Sequence, residues 1–243
     1  MTRWERFYCP LLPKGGEVWV EGSEAHHLLH VLRLKLGQRV YLFDGSGIEA
    51  TGRIVETRRD KVRLEIESSA PVNREARVAI TLAFSIPKGD RAETLVEEAC
   101  ELGVRRLIPV ETQRSVVKLK PDGSQKLEKW RRIAVEASKQ CGRTYITEIE
   151  KMTAFDMLLE EAGHHELALV ASPGGRSLQE VIKEHPGVKT LLCIIGPEGG
   201  LTEEEVEKAR GAGCLEVGMG SRILRIETAA IALVSMLQFA YGF

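Results

Sequence analysis

From residue 78 onward, short apolar runs alternate with stretches of helical periodicity, and that alternation leaves few folds open to the chain. The runs at 78–86, 106–110, 167–172, 191–195 and 215–217 read as buried strands. Helices fill the intervals. The first is expected to start at Asp90 with Glu93 as its capping-box partner, to carry Ala92, Leu95, Val96 and Ala99 on one side, and to stop at Gly103. A turn at Pro121-Asp122-Gly123 precedes a helix over 124–140 that buries Leu127, Trp130, Ile133, Ala134 and Ala137. Thr202 caps another, with Glu205 as its box partner, and 227–241 is an apolar terminal helix. The predicted class is α/β, with a mostly parallel sheet covered on both faces. Ligands of such sheets bind beyond the carboxyl ends of strands.

Residues 1–70 follow a different rule. Strands are expected at 17–20, Arg39–Phe43, 49–57 and 62–68, with turns at Lys14-Gly15-Gly16, Asp44-Gly45-Ser46-Gly47 and Arg58-Arg59-Asp60. One helix interrupts them, capped by Ser23, striped by Ala25, Leu28, Leu29 and Leu32, and ending before Gly37. The predicted organisation is a small β domain over 1–70, a linker at 71–76 and an α/β domain over 77–243, which a 243-residue chain accommodates.

Composition excludes several classes. No apolar run approaches the roughly 20 residues that cross a bilayer. The first residues, MTRWERFYCP, lack the apolar segment of a secretory signal. Five widely spaced cysteines without a CxxC pair suit a reducing compartment, so a cytoplasmic location is expected. The net charge of −1 is uninformative, but residues 105–143 carry +7 and residues 144–243 carry −7. A basic segment of that kind can meet phosphates, or can be an ordinary solvated helix face.

Two strand-to-helix loops are the candidate chemistry. Ile195-Gly196-Pro197-Glu198-Gly199-Gly200 offers exposed peptide groups close to a ligand, and is neither a Walker A loop nor G-x-G-x-x-G. The second loop, 217–228, places Gly218 and Gly220 before Arg222, Arg225 and Glu227. Cations are disfavoured at a helix entrance, so Arg222 and Arg225 point to an anion such as an RNA phosphate. In the basic segment, Arg114 and Arg143 fall in loop contexts, while Lys118 and Arg132 are weaker candidates. His26 and His30 lie one helical turn apart without a third metal ligand, and no G-x-S-x-G elbow is present, so no metal site is expected. On the residues alone, a phosphate-binding transferase and a non-enzymatic RNA-binding module both remain open.

The sequences IIGPEGGLTEEEVEKARGAG (194–213) and GSRILRIETAA (220–230) together resemble the C-terminal signature of the ribosomal small-subunit RNA methyltransferase E family, of the SPOUT class. Further matches are HHLLHVLRLKLG (26–37), KGDRAETLVEEACELGV (88–104), PVETQRSVV (109–117) and EASKQCGR (136–143). The resemblance implies a PUA-like N-terminal β-barrel, a C-terminal trefoil knot and a homodimer with its active site at the subunit interface. It implies methyl transfer from S-adenosylmethionine to N3 of a uridine in 16S ribosomal RNA, with the assembled small subunit as substrate. The implied cofactor contacts are Val170, Ala171 and Ser172; Ile195, Gly196, Pro197, Gly199 and Gly200; Leu215, Val217, Gly218, Met219, Gly220, Ile223 and Leu224; and Thr228. For the chemistry, Arg225 is expected to stabilise a uracil anion, and Glu198 either accepts the proton or shapes the loop. Arg114, Arg143, Arg222, Lys118, Arg132 and Arg33 are the expected RNA contacts.

Overall fold

The structure is a computed structural model that describes residues 5–117 and 124–242. Lys118 and the turn at 121–123 lie outside the described residues. The chain forms two compact units, one comprising Met1–Glu75 with Ser138–Ile146, the other Ala76–Ala137 with Thr147–Phe243.

The first unit holds β1 (Arg6–Tyr8), β2 (Gly16–Glu21), α1 (Gly22–His26), β3 (Arg39–Phe43), β4 (Ile48–Thr57) and β5 (Lys61–Pro71). They build a five-stranded sheet in the order β1-β3-β4-β5-β2, with β1 parallel to β3 and the other pairs antiparallel. Register shifts between Thr51 and Gly52, and between Ile54 and Glu56, mark bulges, which curl a sheet. Phe7, Val20, Leu28, Val40, Leu42, Ile54, Val62 and Leu64 fill its core. The helix differs from expectation. Its N-cap is Glu21 rather than Ser23, without a side-chain cap, and a π-helical turn, His27–Val31, follows at once. It ends early because Arg33 takes φ +54, an uncommon conformation for a residue with a Cβ, and Leu34 N–H closes back onto Leu28 O at 3.0 Å.

The second unit holds β6 (Ala79–Ser85), α2 (Arg91–Glu101), β7 (Arg106–Glu111), α3 (Ser124–Cys141), β8 (Glu148–Ile149), β9 (Thr153–Ala154), α4 (Phe155–Glu160), β10 (Leu167–Ser177), α5 (Leu178–Glu184), β11 (Thr190–Ile195), α6 (Glu203–Gly211), β12 (Leu215–Gly218) and α7 (Ile226–Tyr241). The last residues of α3 group with the first unit. The sheet is parallel throughout, in the order β12-β10-β11-β6-β7-β8, with β9 also on β7. The period of two along β6 serves both faces. Ala83 joins Ile108, Phe155, Leu158, Val170 and Leu192 on one, while Phe84 meets Trp130 with ring centroids 5.8 Å apart.

The two expected capping boxes have opposite outcomes. At α6, Glu205 N–H donates to Thr202 Oγ1 (3.2 Å) and Thr202 N–H to Glu205 Oε2 (2.9 Å). At α2 no box forms. Asp90 is itself helical (φ −81, ψ −4), so its side chain makes no cap bond, and Glu93 instead pairs with Lys129 at 2.6 Å.

Candidate active site

Strand order decides where a ligand can sit. β12, β10 and β11 are neighbours, so the loops at their carboxyl ends converge. The register of β10 against β12 breaks between Ala171 and Arg176, which throws residues 172–175 outward before Arg176 and Ser177 rejoin Val217 and Gly218. That return needs a bare backbone. A Cβ on Gly175 would lie 2.6 Å from Val217 N and 2.8 Å from Glu216 C. On β11, the chain leaves Ile195 into a turn closed by Gly200 N–H to Pro197 O at 2.8 Å, with Gly200 at φ +69.

These loops enclose a cavity of about 280 Å³. β10 contributes Ala171, Ser172 and Pro173. The β11 loop contributes Ile195, Gly196, Pro197, Glu198, Gly199, Gly200 and Leu201. The β12 loop adds Val217, Met219, Gly220, Arg222, Ile223 and Leu224, and α7 closes the space with Ile226 and Ala229. Most residues expected from the sequence are therefore brought together. Four expected cofactor contacts are not. Val170 is fully buried and turned into the core beneath the site. Leu215 sits at the far end of β12, opposite Leu169. Gly218 is packed against Gly175, where an added Cβ would lie 3.0 Å from Gly175 O. Thr228 is exposed on the first turn of α7.

Sequence reasoning missed Leu201, Ile226 and Ala229, and it missed Arg91. From the start of α2, Arg91 reaches Glu198 (3.3 Å) with one terminal nitrogen and Glu227 (3.4 Å) with the other. Glu198 is thus held in ionic contact at the cavity wall. Glu227 Oε2 is buried without a hydrogen-bond partner among the described residues. Arg222 and Arg225 are both exposed, and neither guanidinium has a hydrogen-bonding or ion-pair partner among the described residues. Arg225 is the N-cap residue of α7, between the cavity residues Leu224 and Ile226.

The remaining expected RNA contacts divide. Arg33 and Arg132 are exposed, and Arg132 Nε donates to Glu128 O at 3.4 Å. Arg114 Nη1 is engaged on Gly199 O and Leu201 O. Arg143 is a correction: it is 5 % exposed, and Glu75 holds its guanidinium through Oε1 (2.8 Å) and Oε2 (2.5 Å). A guanidinium so enclosed has no face left for a phosphate. Lys139, also counted in the basic segment, is 8 % exposed and paired with Glu24 at 2.9 Å. The nearby thiols are inert as nucleophiles, because burial pushes Cys193 on β11 up to about 12 and Cys214 up to about 11. Among the described residues, no group of three or more His, Cys, Asp or Glu could hold a metal ion.

The cavity walled by glycines at parallel strand ends lies beside two arginines whose guanidiniums have no partner among the described residues, and comparison with known proteins gives the class. The family described as RNA methyltransferase domain matches residues 74–238, and the RNA methyltransferase PUA domain matches residues 20–67. The ribosomal RNA small subunit methyltransferase E of Bacillus subtilis (strain 168) is 32% identical over 227 residues, covering 90% of this chain and 89% of its own length. The enzyme of the same name from Neisseria gonorrhoeae, solved bound to S-adenosyl methionine, is 30% identical with a TM-score of 0.90, covering 99% of each chain. A Legionella pneumophila structure described as a methyltransferase with the bound cofactor SAM is 34% identical with a TM-score of 0.92, covering 100% of each chain. The chain belongs to the ribosomal RNA small subunit methyltransferase E family.

Proposed function

We propose that this chain transfers a methyl group from S-adenosylmethionine to N3 of a uridine in 16S ribosomal RNA of the small ribosomal subunit. One coincidence carries the reading: a cavity walled by glycine loops lies beside two guanidiniums, Arg222 and Arg225, that are unpaired among the described residues. The cavity fits a nucleoside-bearing donor. Ile195, Leu224, Ile226 and Ala229 provide apolar wall for a purine, and Gly196, Gly199, Gly200 and Gly220 line the cavity without a side chain. At about 280 Å³ its size falls just below the roughly 300–1,000 Å³ usual for small-molecule sites. Bound there, S-adenosylmethionine supplies a methyl group already activated on a positively charged sulfur.

The protein's own task is to make N3 nucleophilic and to align it. Uridine N3 carries a proton and attacks poorly until that proton leaves. Glu198, fixed by Arg91 at the cavity wall, is the proposed acceptor. Arg225 stabilises the uracil anion, and Arg222 receives the adjoining phosphate. Holding acceptor and methyl group in line contributes several kcal/mol on its own. Arg33 and Arg132 are proposed RNA contacts farther from the reaction.

The same reading includes a homodimer, a trefoil-knotted C-terminal chain and a cytoplasmic location. For the dimer, α7 supplies support: it has no charged residue after Glu227, and it leaves Met236 44 % and Phe239 84 % exposed. A face of that kind suits a second protein surface rather than water. The test is Arg225→Ala. Methylation of undermethylated small subunits should be lost while calorimetric binding of S-adenosylhomocysteine is unchanged; retained turnover removes Arg225 from the mechanism.

A further inference from the structure

We propose that Arg114 is a positioning residue for the cofactor loop, and that the turn bearing it, residues 112–115, is a brace on the outer side of residues 199–202. This rests on the reading of the cavity as the S-adenosylmethionine site. Arg114 Nη1 donates to Gly199 O at 2.9 Å and to Leu201 O at 3.4 Å, bridging two carbonyls of a loop that lines the cavity. Its aliphatic stem runs along the same loop, since a Cβ on Gly199 would meet Arg114 Cδ at 3.6 Å and Cβ at 3.7 Å.

The residue before it secures the next part of the loop. Gln113 N–H donates to Glu205 Oε1 at 2.7 Å, and Oε2 of the same carboxylate accepts Thr202 N–H at 2.9 Å. Glu205 is 3 % exposed, so this junction is shielded from competing water. The turn is stiffened in its own right by Thr112 N–H to Ser115 Oγ at 3.0 Å and Ser115 N–H to Thr112 O at 3.1 Å. Two adjacent residues of one short turn therefore grip 199–202 from one side, while Gly196, Gly199 and Gly200 leave that loop little stiffness of its own. A loop so braced keeps its cofactor-receiving shape before the cofactor arrives, which removes an ordering cost from binding.

Preorganisation of this kind acts equally on ground state and transition state. It changes KM for S-adenosylmethionine and leaves kcat at saturation alone. Charged hydrogen bonds of this type are worth roughly tenfold or more in an equilibrium constant. Arg114→Ala is expected to raise the dissociation constant of S-adenosylhomocysteine and the KM of S-adenosylmethionine about tenfold, with kcat held. Arg114→Lys, which keeps one cationic donor, should recover part of the loss. The salt dependence of affinity for small-subunit RNA should stay that of the wild type. Unchanged cofactor affinity in Arg114→Ala, or a fall in kcat with KM unmoved, would overturn the brace. If the wild type itself gave no heat with S-adenosylhomocysteine, the cavity reading would fall, and the brace with it.

Discussion

Gly175→Ala adds one methyl group at the tightest backbone approach beside the cavity. The new Cβ would lie 2.6 Å from Val217 N, 2.7 Å from Val217 C and 2.8 Å from Glu216 C. All three atoms are backbone of β12, so no side chain can swing aside. Ordinary contact begins near 3.4 Å, so β10 and β12 must separate by almost 1 Å at this point. Overpacking of this kind typically costs about 1–3 kcal/mol, and the absence of any yielding side chain places this site at the upper end. For a chain of this size that is a fall of roughly 5–10 °C in melting temperature. The strain falls where residues 172–175 leave the cavity wall, so cofactor affinity should drop as well. Gly174→Ala is the control, because nothing lies within 4 Å of its added Cβ. Thermal denaturation and calorimetry with S-adenosylhomocysteine measure both effects. A Gly175→Ala protein as stable and as tightly binding as Gly174→Ala would refute the close-packed account of this loop.

Phe239→Glu should shift sedimentation from dimer to monomer and remove activity, if the exposed face of α7 is the interface. Arg143→Ala leaves Glu75 without its buried partner and should cost about 3 kcal/mol of stability without altering the salt dependence of RNA binding; a smaller salt slope would restore Arg143 as an RNA contact. Burial raises the pKa of Glu49, but hydrogen bonds from Arg74 and Arg6 outweigh it, and the folded pKa lies below the usual 4.5. A depressed carboxylate pKa means stability that is present in full above about 4.5 and is lost as pH falls through the folded value. Acid titration of Glu49→Gln should therefore lose less stability than the wild type as pH falls below about 4.5, and a parallel decline would show that these ion pairs contribute nothing.

The parts of this fold that could be read from the sequence are those decided locally. The buried strands announced themselves because both faces of the sheet are covered, and the Thr202–Glu205 cap did so because Thr202 is extended (φ −76, ψ 161). The Asp90–Glu93 pair has the same spacing, yet Asp90 is helical and a lysine 36 positions away claims the glutamate. β1 is only three residues long and pairs with β3 across the chain, so no periodicity could reveal it. The site divides in the same way. Loops at strand ends were legible from their glycines. Ile226 and Ala229 were not, because which side of α7 closes the cavity depends on tertiary packing. Arg143 looked like a free loop cation, and only folding brings Glu75, 68 positions away, onto it. Arg91 was passed over because its two carboxylates lie 107 and 136 positions along the chain.

This cavity and its flanking arginines are proposed to methylate one uridine of the small-subunit RNA. Mass spectrometry of 16S ribosomal RNA from cells lacking this chain tests it most directly. One N3-methyluridine should disappear, return with the wild-type chain, and stay absent with Arg225→Ala. An unchanged set of methylated nucleosides in the deleted cells would contradict the account.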